Sequence, residues 1–305
     1  MQILKGQPLE PIPIQKKVKI IQMGKITEIM YIEKPNVNGF TVRKISKDEY
    51  VDKLTGEVFE YTSHSEDRSQ NKESLRKTFK KIREIINTNF EGNKNELAFT
   101  ITYAKNIRDT KRLYKDFQNF MDRLRYKYPN VDYMSVVEPQ ERGAWHCHVL
   151  LRFNDLDKIY IPNKEVEELW GNGFVKVKAI RSDVDNLGAY LSAYLGDVEL
   201  NARNYKDIRP GTPFSHSNVK VVEVDGKTKR FIKGGRLHLY PAGMNIYRCS
   251  RGIKQPIEEH MSYADAKKIV GADTPNYSSK IKILDDENNF VNAITYEHYN
   301  PKRKK

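Results

Sequence analysis

Cysteine is scarce: the 305-residue chain holds two, Cys147 and Cys249. A secreted disulfide scaffold needs more, and Cys147 sits inside an apolar, strand-like run, so the chain reads as the product of a reducing compartment. Long apolar runs are lacking too. No window approaches the ~18 apolar residues of a bilayer-spanning helix. The opening MQILKGQPLEPIPIQKK has no apolar core followed by a small-residue cleavage site, which argues against a secretory leader. No internal repeat is visible. A phosphate loop is missing as well: GKT at 226–228 has Val221 where that motif places its first glycine, so no helicase module of the phosphate-loop kind is expected. Apolar residues are only 38% of the chain and charged residues 30%, so a core is available but much of the surface is charged.

Basic charge is what the chain has in excess. Lys and Arg number 53 against 40 Asp and Glu, a formal net charge of +13. Such a balance points to a polyanionic partner, nucleic acid first and an anionic membrane surface second. The basic helix candidate KESLRKTFKKIREIINT (72–88) carries Leu75, Phe79, Ile82 and Ile85/Ile86 at helical spacing, with Lys77, Lys80, Lys81 and Arg83 elsewhere on its surface. Those four are candidate phosphate contacts, the alternative being a solvated charged face. The closing PKRKK reads as a disordered basic tail.

Regular patterning begins at residue 97. LAFTITYA (97–104) reads as a buried strand. A helix follows, striped by Leu113, Phe117, Met121, Leu124 and Tyr128, with Asp109 as N-cap and Pro129 closing it. VDYMSVVE (131–138), the turn PQERG and AWHCHVLLRF (144–153) form a hairpin. A short helix over 163–170 takes Asn163 as its cap, FVKVKAI (174–180) is a strand with Lys176 and Lys178 alternating, and 183–196 is a helix. The order β-α-β-β-α-β-α predicts an α+β fold: a central antiparallel sheet with flanking helices and the hairpin at its centre. Residues 18–33 predict a further hairpin, 50–72 a loop, and 219–240 a long hairpin turning at Asp225-Gly226. Three regions result: an N-terminal hairpin extension (1–70), a main domain (71–225) and a C-terminal region (226–305).

The stretch GAWHCHVLLRF places two of the chain's seven His one residue apart. Alternate strand residues share a face, so His146 and His148 point one way and Cys147 the other, into the core. A pairing that sets Glu138 opposite His146 also sets Val136 opposite His148, bringing the Glu138 carboxylate to the imidazoles. Gln140 and Glu141 in the turn are spare oxygen donors. Two imidazoles and an oxygen suit Mn²⁺ or Mg²⁺ with positions left for water or phosphate. A bare His-x-His is more often a pair of ordinary surface histidines, and the carboxylate across the hairpin is what shifts the balance. Further on, AYLSAYLG puts Tyr190 and Tyr194 at i and i+4, on one helix face. They are either core aromatics beside Leu187, Leu191 and Leu195 or candidate covalent nucleophiles.

Taken in order, LAFTITYA, VVEPQERGAWHCHVLLRF and NLGAYLSAYLG resemble the three motifs of the HUH endonucleases, and the stretch 72–196 resembles the rolling-circle replication initiators of Gram-positive plasmids and phages. A wider likeness takes in GRLHLYPAGMNIYRCSRGIKQP (235–256). The resemblance implies a ferredoxin- or RRM-like nuclease fold. It implies a divalent metal, Mn²⁺ or Mg²⁺, held by His146, His148 and Glu138, with Tyr190 and Tyr194 as catalytic nucleophiles. Nicking and rejoining of single-stranded or hairpin origin DNA through a 5′-phosphotyrosine link is the implied activity, with a host helicase and polymerase as further partners and the bacterial cytoplasm as the compartment. Many members carry a Lys three residues after the nucleophile; here that position is Ala193, which passes the phosphate-positioning role to Lys176 or Lys178. A relaxase or tyrosine transposase of the same fold, or a non-catalytic nucleic-acid-binding module, fits the same residues.

Overall fold

A computed structural model of the protein describes residues 2–35, 42–46, 48–61, 67–140, 142–180, 186–192, 197–199, 219–224, 227–232 and 234–303. The chain divides into two compact units, one formed by residues 1–65 with 256–305 and the other by 66–255. The sequence pattern places its divisions instead at 70 and 225. The reason for the difference lies in strand pairing, because strands after 256 complete a sheet begun near the start of the chain.

In the first unit, β1 (Gln2–Gln7), β2 (Lys17–Met23) and β3 (Ile26–Ile32) are followed by a small three-stranded meander, β4 (Val42–Lys44), β5 (Glu49–Asp52) and β6 (Val58–Glu60). The expected hairpin over 18–33 is present, with Met23 paired to Ile26 and Gly24 at φ 59°, the positive value that a tight two-residue turn requires. Residues 50–72, expected as a loop, hold β6 and a short 3₁₀ turn (Arg68–Gln70). Their polar composition hides strands that are steadied by a Tyr50–Phe59 ring stack at 5.5 Å rather than by a buried face.

The second unit contains α1 (Lys72–Asn89), β7 (Glu96–Thr102), α2 (Thr110–Lys127), β8 (Val131–Pro139), β9 (Trp145–Phe153), α3 (Asn163–Trp170), β10 (Val175–Ala179), α4 (Leu187–Ser192), β11 (Val198–Glu199), β12 (Val219–Val224), β13 (Lys227–Ile232) and β14 (Tyr247–Cys249). The chain then returns to the first unit through β15 (Ile257–Ser262), α5 (Tyr263–Val270), β16 (Tyr277–Leu284) and β17 (Phe290–Tyr299), giving a six-stranded sheet β1-β16-β17-β3-β2-β15. Of the closing PKRKK, residues 301–303 continue as a turn, with Arg303 N–H donating to Asn300 O at 3.0 Å.

A five-stranded antiparallel sheet, β10-β7-β9-β8-β14, organises the second unit, with β9 at its centre. One face is apolar and takes α2 and α3: Tyr103 meets Trp170 edge-on at 5.0 Å, Phe117 meets Tyr133 at 5.5 Å, and Tyr103 OH donates to Asp116 at 2.9 Å. The α2 stripe is as the spacing predicts, with Leu113, Phe117, Phe120, Met121 and Leu124 buried and Asp109 accepting from Lys111 N–H at 2.8 Å. Each such side chain contributes about 1.5–3 kcal/mol on burial. Asn163 does not cap α3. Pro162 stands at the cap, and the Asn163 side-chain oxygen accepts from Val177 N–H at 2.8 Å, tying α3 to β10. The hairpin expected over 219–240 ends at Ile232, because Gly234 (φ 71°) and Gly235 open a turn that leads into a 3₁₀ turn at Leu237–Leu239. A smaller sheet, β11-β13-β12, completes the unit.

Candidate active site

The site stands on the opposite face of that sheet, and strand register builds it. Glu138 on β8 pairs with His146 on β9, and Val136 with His148. On the other side of β9, Thr102 pairs with His146 and Thr100 with His148. Directly paired residues share a face, so Glu138, both imidazoles and both threonines stand together while Cys147 turns away. Cys147 is buried, which pushes its thiol up to about 12, and it is a packing residue. The hairpin turn is pinned from outside. Arg142 donates to Tyr103 O at 2.6 Å and to Ala104 O at 3.2 Å, and Gly143 takes φ 84°.

Both imidazole Nε2 atoms converge on one carboxylate oxygen. His146 Nε2 lies 3.0 Å and His148 Nε2 3.1 Å from Glu138 Oε2, and the two rings stand 4.8 Å apart. Among the described residues these three form the one group of metal-capable side chains, with ligand atoms all within 4.8 Å of one another. Glu138 and His146 are nearly closed off, at 7% and 14% side-chain exposure, while His148 is 40% exposed, so the site opens at His148. Behind His148, Thr100 Oγ1 lies 3.4 Å from Nδ1. Burial would raise the Glu138 pKa, but hydrogen bonds with His146 and His148 and the Arg236 charge overcome it and hold the carboxyl well below its usual range. Burial lowers the His146 pKa, against the pull of Glu138. An ionised oxygen and two imidazole nitrogens in this arrangement fit a divalent cation, with room for exchangeable ligands on the open side.

Sequence reasoning does not single out Arg236, yet its guanidinium reaches Glu138 Oε1 at 2.8 Å, Pro139 O at 3.1 Å and Asp197 O at 2.6 Å. Nothing in its sequence setting marks it out: it is one of many basic residues, in a loop far from the hairpin along the chain. Tyr240, beneath the site, donates to Val137 O at 3.1 Å. Burial and the Glu138 charge raise its pKa well above the ordinary phenol value, so it stays protonated and is excluded as a nucleophile.

The spare donors do not join the cluster. The Gln140 side-chain oxygen accepts from Arg142 Nε at 2.9 Å, and Glu141 lies outside the described residues. Tyr190 falls on α4, with its side chain outside the described residues, as is the whole of Tyr194. The helix itself is tightly held against α1. Asn186 accepts from Ala189 N–H at 2.9 Å, Asn87 accepts from Gly188 N–H at 2.7 Å, and a Cβ on Gly188 would overlap Arg83 O. Helix α1 in turn meets the histidine-bearing face, where Arg152 donates to Asn89 O at 3.0 Å. Lys77 and Lys80 form i,i+4 pairs with Glu73 at 3.8 Å and Glu84 at 3.6 Å, Lys81 and Arg83 are half-buried, and Lys176 and Lys178 are exposed on β10. Lys176 pairs with Thr100, which places it in the same cross-strand row as His148.

The fold is thus an α+β sheet domain with a candidate divalent-metal triad at its centre. Residues 96–199 match a family model described as replication-associated protein of the ORF2 type, a span from β7 to β11 that takes in the triad and both candidate tyrosines. No curated protein matches the chain. No helix among the described residues is long and apolar enough to cross a membrane.

Proposed function

We propose that the chain initiates rolling-circle replication by nicking and rejoining single-stranded origin DNA through a tyrosine, in the manner of the HUH endonucleases. The observation that carries this reading is the convergence of His146, His148 and Glu138 on one point, inside the segment that matches a replication-associated family. Mn²⁺ or Mg²⁺, once bound there, would supply Lewis-acid polarisation of the scissile phosphate. The protein's own groups do the rest. His146, His148 and Glu138 hold the cation at the sheet face, and His148 lies on its open side. Lys176, on the same row, steadies the phosphate, and Lys178, Lys77, Lys80, Lys81 and Arg83 contact the DNA backbone, a mode of binding that weakens steeply with salt.

The Tyr190 phenol oxygen attacks phosphorus. The new bond is Tyr–O–P to the 5′ side of the nick, the bond broken is P–O3′, and the phenol's proton ends on the released 3′-hydroxyl. The phosphodiester energy is conserved in the tyrosine ester, so rejoining needs no ATP. Tyr194 takes the second transfer that closes a round. Strand separation and extension fall to a host helicase and polymerase.

The test uses single-stranded oligonucleotides tiling the DNA that flanks the chain's own gene, incubated with the protein and Mn²⁺. The expected result is a covalent protein–DNA adduct, lost in Tyr190→Phe and in His148→Ala, with the DNA-bearing peptide mapped by mass spectrometry to residue 190. Retained DNA binding with no adduct under any metal would replace this reading with a non-catalytic binding module. Cleavage confined to a transfer origin or a transposon end would replace it with a relaxase or transposase.

A further inference from the structure

Arg236 lies outside the segment 96–199, yet it makes the closest charged contact to the candidate metal ligand Glu138. We infer that Arg236 is a positioning residue: by occupying Oε1 it leaves Glu138 a single oxygen to offer a cation, and it thereby sets the site's choice between small and large divalent ions. This rests on the metal reading proposed above.

The two carboxylate oxygens of Glu138 are differently engaged. Oε2 faces both imidazoles, at 3.0 and 3.1 Å, while Oε1 faces the Arg236 guanidinium at 2.8 Å. Arg236 is itself immobilised, since Nε donates to Asp197 O at 2.6 Å and a second nitrogen to Pro139 O at 3.1 Å. A planar guanidinium anchored at two backbone carbonyls cannot swing aside without breaking both bonds. The loop that carries it is tied down again where Gly234 N–H donates to the Asp197 side chain at 2.7 Å. At 16% side-chain exposure, Arg236 is shielded from competing water.

A carboxylate held in this way is monodentate. Calcium takes six to eight oxygens at about 2.3–2.6 Å and favours bidentate carboxylates, whereas magnesium, smaller and octahedral, uses few protein ligands at about 2.0–2.1 Å. Mn²⁺ shares the preference for six-coordinate sites. The charge of Arg236 opposes every divalent cation alike, so its electrostatic effect cancels in a ratio of two such affinities. The positioning effect does not cancel.

The experiment is a Mn²⁺ titration of the full chain, read from the electron paramagnetic resonance of free Mn²⁺, followed by displacement with Ca²⁺. In Arg236→Gln the Mn²⁺:Ca²⁺ affinity ratio should fall about tenfold or more, the size seen when outer partners of metal ligands are removed. Arg236→Lys keeps a cation but loses the fork, and it should shift the ratio the same way; it carries the test should the Gln variant fail to fold. An unchanged ratio in variants that still bind Mn²⁺ would overturn the positioning role and leave the metal reading standing. A wild-type chain that binds no Mn²⁺ would remove both.

Discussion

One carboxylate serves two imidazoles and a guanidinium, so Glu138 is the residue whose loss is felt most widely. Glu138→Gln should abolish Mn²⁺ binding and also lower stability by on the order of 3 kcal/mol, because it leaves the Arg236 charge shielded and unmatched; calorimetric titration and urea denaturation check the two effects separately. Protonation acts on the same cluster. The His146 pKa is lowered from its ordinary 6.5, chiefly by burial, so the unfolded chain binds the extra proton first and stability is lost as pH falls below that value. Glu138, whose pKa is also lowered, stabilises the fold above the ordinary 4.5 and loses that contribution as pH falls further. The metal-free protein should therefore melt at successively lower temperature from pH 7 to pH 5 and more steeply below pH 4.5, with the first decline reduced in His146→Asn. The triad is legible in the sequence because strand alternation is a local rule: His-x-His fixes a shared face, and the short turn fixes Glu138 opposite. Arg236 is illegible because its place depends on how a distant loop folds back, and no spacing records that.

At the scale of elements, the hydrophobic period finds α1, α2, α3 and the strands β7 to β10 close to their observed bounds. It misses what is set by contact between elements. Asn163 has the residue type of a cap but is drawn to β10 instead, where the Val177 N–H needs a partner. The meander β4–β6 carries so many charges that its alternation is hidden, and β15 to β17 escape a local reading because their partners lie far away in sequence. Gly188 shows what such contacts demand. With Arg83 O standing where a Cβ would need room, Gly188→Ala must push α4 off α1, and a cost of about 1–3 kcal/mol is expected from overpacking. If α4 presents the nucleophile, the same variant should slow adduct formation far more than it weakens Mn²⁺ binding, a contrast that single-turnover cleavage and metal titration can measure.

For the whole molecule, the division of the chain makes its own prediction. Residues 66–255 hold a continuous apolar core running from Leu75 to Ile253, so that fragment should fold and bind Mn²⁺ by itself, as calorimetry and metal titration would show. Removing 256–305 should instead unfold the other unit, since β3 would lose β17 and β2 would lose β15. The same discontinuity governs the order of events on the ribosome. Glu10 meets Lys280 across 270 residues of sequence, and at roughly 5–20 residues per second the first strands wait on the order of tens of seconds for their partners to be synthesised. The histidine hairpin and its helices have emerged by then, so during translation the interior segment can reach its native state while the β2–β3 hairpin still shows unpaired edges, and that interval is when a chaperone would find its target.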